Sequence, residues 1–212
     1  MDQIGPSGEL LIVDDHSTDR TRETVNLSDH RINLLSNRGR GVSAARNTGI
    51  LAARGEFVGF LDHDDLWPSG RQKVLVCELR SSMTASAAAG TVRVIIEDDC
   101  DAGQHLLMDG RYAPSMLSSC LYRRELIERV GGFAEDLEFG EDLDFHFRLV
   151  EAGMKITRCA CDTLIYRRHT GNVSSMAPPS ADVLKSILRR KIQRMHNNAS
   201  VDPILVVDLG SE

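Results

Sequence analysis

The chain has no surplus of positive charge: 25 lysines and arginines stand against 31 aspartates and glutamates, for a net charge of −6. Binding along a phosphate backbone needs a basic surface, so nucleic acid is not an expected partner. No apolar run approaches the length of a membrane-spanning helix, and no leader-like pattern opens at Met1. Cysteines are few and odd in number: Cys77, Cys100, Cys120, Cys159 and Cys161. They outline no disulfide framework, and Cys159-Ala-Cys161 is poorly spaced for zinc, so reduced thiols in a cytoplasmic protein are the expectation. Aromatics make up 5% of the chain, with a single tryptophan, Trp67. It reads as a packing anchor rather than a sugar platform. What remains is 212 residues at 42% hydrophobic, enough for one domain with a sizeable core.

The most informative stretch runs from Gly55 to Pro68. Phe57 to Leu61 reads as a short buried strand. It runs into Asp62, Asp64 and Asp65, with His63 between them. Three carboxylates beside an apolar strand repel one another and are costly to desolvate. A hard divalent ion with oxygen ligands, Mn²⁺ or Mg²⁺, relieves both costs and commonly brings a substrate phosphate with it. The plainer alternative is a solvated acidic turn.

Elsewhere strands and helices alternate, as in an α/β domain. Glu9 to Val13 reads as a strand followed by Asp14-Asp15, with a helix opening near Ser17-Thr18-Asp19 and reaching about Leu27. Arg31 to Leu35 is a second strand. Asn37-Arg-Gly-Arg-Gly41 is a basic loop without P-loop spacing, and Val42 to Arg54 is a helix carrying Arg46 and Asn47 near its front. Helices follow at Pro68 to Ser82, Arg123 to Val130 and Glu141 to Ala152, the last with Leu143, Phe147 and Val150 on one apolar face. Strands are expected at Thr91 to Ile96, Ser115 to Tyr122, Lys155 to Arg158 and Thr163 to Tyr166. A second acidic run, Glu97 to Asp101, reads as a solvated hairpin tip. Asp182 to Asn197 is a basic amphipathic helix. Packing through Leu184, Leu188 and Met195 is weighed against lying on anionic lipid, and packing is preferred.

Four ordered segments carry a resemblance: Leu11-Ile-Val-Asp-Asp-His-Ser-Thr-Asp19, Gly41-Val-Ser-Ala-Ala-Arg-Asn-Thr-Gly49, Phe60-Leu-Asp-His-Asp-Asp-Leu-Trp-Pro68, and Gly131-Gly-Phe with Gly140-Glu-Asp142. Together they resemble family 2 glycosyltransferases over roughly residues 9 to 170. The resemblance implies a GT-A fold, a Rossmann-like mixed sheet flanked by helices. It implies transfer of a sugar with inversion from a nucleotide-sugar, a UDP-sugar first of all, to a glycan or lipid-linked acceptor hydroxyl. It places Asp15 at the uracil base, Arg46 and Asp62 near the nucleotide, Asp64 and Asp65 on the metal, and His169 near the metal or pyrophosphate. Asp142 becomes the base, with Glu141 beside it. For Arg46 a surface ion pair, for Glu141 a helix-dipole role, and for His169 an unligated loop histidine are the competing readings.

The resemblance also has a departure. Family members carry a strand and helix ahead of the segment matching Glu9 to Asp15, and here only eight residues precede Glu9, so an N-terminally truncated sheet is expected. Residues 1–175 are expected to form the domain, 180–198 its C-terminal helix, and 199–212 a tail. Two other readings stand beside the transferase. One is a degenerate module that binds nucleotide or partners without turnover. The other is a metal-dependent phosphatase or nucleotidyltransferase, which no nucleophile motif supports.

Overall fold

The computed structural model describes residues 4–96, 111–112, 117–169 and 181–197. The second acidic run, the break at 176–180 and the tail lie outside these residues. The chain opens with β1 (Leu10–Asp14), a short helix α1 (Thr21–Thr24) and β2 (Ile32–Ser36). It continues through α2 (Gly41–Ala52), β3 (Phe57–Val58), α3 (Arg71–Ser81) and β4 (Ala87–Ile96). β5 (Arg111–Tyr112), a 3₁₀ turn (Leu117–Ser119), β6 (Cys120–Arg123) and α4 (Arg124–Val130) come next. α5 (Glu141–Glu151), β7 (Ile156–Arg168) and α6 (Ala181–Asn197) complete the order.

Alternation of side chains along the strands builds two cores on opposite faces of one sheet. Ala87 and Ala89 of β4 with Cys120 and Tyr122 of β6 face α4 and α5, where Leu126, Ile127, Phe145 and Leu149 close the layer. Ala88 and Leu121 face the other way, onto Leu75 and Leu79 of α3. The alanines of β4 lack the bulk that signals a strand, yet on a central strand they let helices approach from both sides. For that reason β4 starts four residues before the expected Thr91. The two short strands expected at 155–166 are one continuous β7, parallel to β4, with register shifts between Ala89 and Val92. Gly90 lies in that irregularity, where an added Cβ would stand 2.2 Å from the Cys161 carbonyl oxygen.

Two expected helix faces are corrected. α5 buries Phe145, Leu149 and Asp144, whereas Val150 is exposed. α6 buries Ile187 and leaves Leu184, Leu188 and Met195 exposed. In both cases the neighbouring element selects a face offset from the most hydrophobic stripe, because buried arginine–carboxylate pairs take up part of the contact.

β1 and β2 form a separate two-stranded parallel sheet, while β3, β6, β4, β5 and β7 form the second. Among the described residues β1 pairs with β2 alone and β3 with β6 alone. Glu9 ties the two parts together, its carboxylate accepting the backbone N–H of Arg54 at 2.7 Å and the Arg54 guanidinium at 3.1 Å.

Candidate active site

The carboxyl end of β1 is held to the basic loop. The Asp15 carboxylate accepts from Asn37 Nδ2 at 2.7 Å and from the Gly41 N–H at 2.8 Å, at the first residue of α2. His16 beside it adopts a left-handed φ of 59° and contacts the Gly39 carbonyl at 2.9 Å. A non-glycine residue in that conformation stores strain, which the surrounding bonds must hold. Asp14 is the structural member of the pair: buried, and paired with Arg22 at 2.9 Å. A hydrogen bond from Ser17, partly offset by desolvation and aided by Arg22, lowers its pKa.

The acidic turn sits against β7. Leu66 and Ile165 exchange backbone bonds at 3.1 and 2.8 Å, so the last residues of β7 run beside Asp64 and Asp65. Asp64 Oδ2 lies 3.6 Å from His169 Nε2. Asp65 is turned inward, and its Oδ1 accepts the Arg167 N–H at 3.0 Å. Burial first, then the nearby Asp64 and Asp62, pushes the Asp65 carboxyl up to about 6, against the lowering effect of the Arg167 bond.

Arg46 joins this turn to the front of α5. Its guanidinium donates to Asp62 Oδ1 and to Glu141 Oε1, both at 2.8 Å, with the side chain 12% exposed. The ring of Phe133 lies 5.2 Å below it. Burial opposes the charge, and the two carboxylates raise its pKa despite that. Phe60, Phe133 and Phe145 form the hub behind it, with Phe133 stacked on Phe145 at 4.1 Å and edge-on to Phe60 at 5.4 Å. One aromatic comes from each of three sequence segments, so the contact brings Asp62 and Glu141 within reach of one guanidinium. Asp142 begins the exposed side of α5 and caps its own turn, accepting the Leu143 N–H at 2.7 Å. Glu141 and Asp142 both stand at the positive end of the helix dipole.

Three supports were not legible as such in the sequence. Asn47 clamps the Gly131-Gly132-Phe133 turn: it accepts the Phe133 N–H at 2.7 Å and donates to the Phe133 carbonyl at 3.0 Å. Gly132 has a φ of 77°, and an added Cβ would lie 2.6 Å from Asn47 Oδ1. An asparagine within a helix is a weak signal of such a task. Ser118 Oγ donates to Asp62 Oδ2 at 3.0 Å and carries no signal at all. Arg71, fully buried, donates to the carbonyls of Thr163, Ser118 and Cys120, and stacks on Trp67 at 4.1 Å. Trp67 thereby anchors the turn, its Nε1 donating to the Ser118 carbonyl at 3.1 Å.

Among the described residues no group of three or more His, Cys, Asp or Glu side chains is arranged as a metal cage. Mg²⁺ and Mn²⁺ rarely use such cages; they take one or two protein ligands plus substrate phosphate. The 3.6 Å between Asp64 Oδ2 and His169 Nε2 is short enough for both atoms to reach one ion. A carboxylate oxygen suits a hard divalent ion such as Mg²⁺ or Mn²⁺, with the imidazole as a borderline second donor. The donor set therefore fits a divalent ion.

The profile described as "Glycosyl transferase family 2" matches residues 2–131. The uncharacterized glycosyltransferase EpsJ of Bacillus subtilis is 28% identical over 193 residues, 79% of this chain and 55% of that protein. An Escherichia coli enzyme, the UDP-Glc:α-D-GlcNAc-diphosphoundecaprenol β-1,3-glucosyltransferase WfgD, is 43% identical over 70 residues, 32% of this chain and 28% of that one. Among solved structures, residues 1–349 of Staphylococcus aureus TarS in complex with UDP-GlcNAc superpose with a TM-score of 0.71 at 19% identity, over 92% of this chain and 59% of TarS. The mannosyltransferase PcManGT of Pyrobaculum calidifontis, with GDP-Man and Mn²⁺, superposes at 0.59 and 20% identity, over 92% of this chain and 56% of that one. The chain thus spans about half the length of the first of these relatives. With the profile covering well over half of its residues and the mixed sheet superposing on TarS, the chain is a member of glycosyl transferase family 2 with the GT-A fold.

Proposed function

We propose that the chain transfers a sugar from a nucleotide-sugar, preferentially a UDP-sugar, to a hydroxyl of a glycan or lipid-linked acceptor, with inversion at the anomeric carbon. The observation that carries this reading is the Arg46 bridge, which sets the acidic turn and the front of α5 on either side of one guanidinium. A displacement reaction needs those two things apart yet close: charge neutralisation for the leaving diphosphate and a proton acceptor for the incoming hydroxyl.

Asp15, held by Asn37 and the Gly41 N–H at the end of β1, is assigned to the nucleotide base. Asp64 and Asp65, with His169 beside them, would hold the divalent ion, which would supply Lewis-acid neutralisation of the diphosphate. Asp62, locked by Arg46 and Ser118, orients the turn. Asp142 takes the acceptor's proton on a carboxylate oxygen as the new glycosidic bond forms. It is exposed and bound only to its own helix turn among the bonds described, whereas Glu141 is committed to Arg46. PcManGT binds GDP-Man with Mn²⁺ and TarS binds UDP-GlcNAc, which supports a nucleotide-sugar donor here without settling the base.

The test is sugar transfer and nucleotide binding measured in parallel. Asp142→Asn is expected to slow transfer by about 10²-fold or more while UDP binding with Mn²⁺ is kept. Asp64→Ala is expected to abolish the gain in UDP affinity that Mn²⁺ gives. A chain that binds UDP with metal but turns over no donor, wild type included, supports the binding-module reading instead.

A further inference from the structure

α6 has two unlike faces. On the inner face Ile187 is buried against Gly140, where an added Cβ would lie 2.4 Å from Ile187 Cδ1 and 3.4 Å from Val183. Arg194 reaches Asp144 at 2.9 Å and Glu151 at 2.8 Å, and Arg190 pairs with Asp136. On the outer face Leu184, Leu188, Ile192 and Met195 remain 45%, 41%, 52% and 41% exposed. They recur at i, i+4, i+8 and i+11, a continuous row along the helix. Singly exposed apolar residues are ordinary on any surface; an ordered row is a contact surface.

The margins of the row identify what it contacts. At 3.6 residues per turn, Lys191 lies on one side of it and Lys185, Arg189 and His196 on the other. Lys185 and Arg189 are exposed, and Lys191 Nζ sits 4.4 Å above the Phe147 ring. Of the five basic side chains of the helix, Arg190 and Arg194 are taken up by the inner-face pairs, which leaves Lys185, Arg189 and Lys191 beside the row, Lys185 also touching the exposed Asp182 at 3.1 Å. A groove on a protein partner needs the apolar row but has no general need for cations along both margins. An anionic bilayer needs both: acyl chains take the row while lipid phosphates take the flanking ammonium and guanidinium groups.

We propose that α6 docks the protein in the plane of an anionic membrane through the Leu184–Leu188–Ile192–Met195 row. Since α6 packs directly on Gly140, the residue that caps α5, docking holds Glu141 and Asp142 close to the bilayer. Resting on the transferase reading, this points to a lipid-linked acceptor presented at the membrane surface.

The test is co-sedimentation of the full chain with vesicles of phosphatidylcholine containing about a third phosphatidylglycerol, and with phosphatidylcholine alone. Binding is expected to the anionic vesicles, to weaken as salt is raised, and to fall about fivefold for each of Lys185→Gln and Arg189→Gln. Leu188→Gln with Ile192→Gln is expected to lower it at least tenfold. UDP binding is measured on the same samples. Its absence in the wild type would sink the transferase reading and leave the vesicle result standing. The proposal is overturned if anionic vesicles do not bind the protein, or if the Leu188→Gln, Ile192→Gln variant binds them as well as wild type. It is also overturned if sedimentation equilibrium shows a dimer that this variant dissolves, because the row then covers a second copy.

Discussion

Asp65 is the residue at which burial and function pull apart. Its carboxyl, about 5% exposed, titrates near 6 rather than at the usual value of 3.8. The folded state therefore binds a proton more tightly than the unfolded chain. For this group stability is highest below about pH 4, declines between about 4 and 6, and is flat above. In chelator, Asp65→Asn is expected to remove that decline and to raise stability at pH 8 by on the order of 1–2 kcal/mol, read from urea unfolding at pH 4.5 and 8. An unchanged pH profile would mean that the carboxyl is not desolvated. Asn47 and Gly132 form a second residue-scale pair. Gly132→Ala is expected to cost about 1–3 kcal/mol from its left-handed φ and the clash with Asn47. In an Asn47→Ala background the cost should shrink, because the clashing oxygen is gone. Strict additivity in the double-mutant cycle would contradict the contact.

At the scale of elements, the α5–α6 contact combines apolar packing at Ile187 with charge pairs around Asp144, while a second apolar row of α6 faces outward. Asp144 is 1% exposed and accepts Arg148 Nε at 2.8 Å and Arg194 Nη1 at 2.9 Å. Arg194→Met leaves one oxygen of the buried Asp144 carboxylate without its partner while Arg148 still holds the other, so it is expected to destabilise by about 1–3 kcal/mol in thermal unfolding. Arg190→Met, which breaks an exposed pair with Asp136, is expected to change little. The hydrophobic period of α5 and α6 was plain in the sequence, and the helices stand where it placed them. The face each helix buries was not, because period alone cannot say that an arginine from a helix 50 residues on neutralises Asp144. α1 is a four-residue turn rather than the helix expected to reach Leu27: side-chain caps such as Asp19 on Thr21 favour a first turn, but no α1 residue is buried to sustain more.

For the whole molecule, burial divides the fold into unequal parts. The core lies on the two faces of the β4–β6–β7 sheet, whereas β1 and β2 contribute a single buried residue, Asp14. A two-stranded parallel sheet without a buried face is weakly held. Native-state hydrogen exchange is expected to show the amides of β1 and β2 opening at lower free energy than those of β4 and β6. UDP with Mn²⁺ should narrow the difference if Asp15 and the Asn37–Gly41 loop contact the nucleotide. Uniform protection across both sheets would contradict this division.

The sequence by itself determined the family, the α/β class and the places of most elements, since ordered local motifs and strand–helix alternation survive without knowledge of contacts. It also marked Asp15, Arg46, the Asp62–Asp65 turn, His169 and Glu141–Asp142, most of them polar residues just past a strand or at the start of a helix. Only the tertiary structure decided how they stand to one another. Arg46 spans Asp62 and Glu141 because Phe60, Phe133 and Phe145 stack behind it, a contact among residues up to 85 positions apart. Likewise it decided that Asp65 turns inward, that Asn47 clamps a glycine turn, and that α6 shows its apolar row to the outside. Each of these depends on which distant surface is available to be covered, and a local pattern holds no record of that.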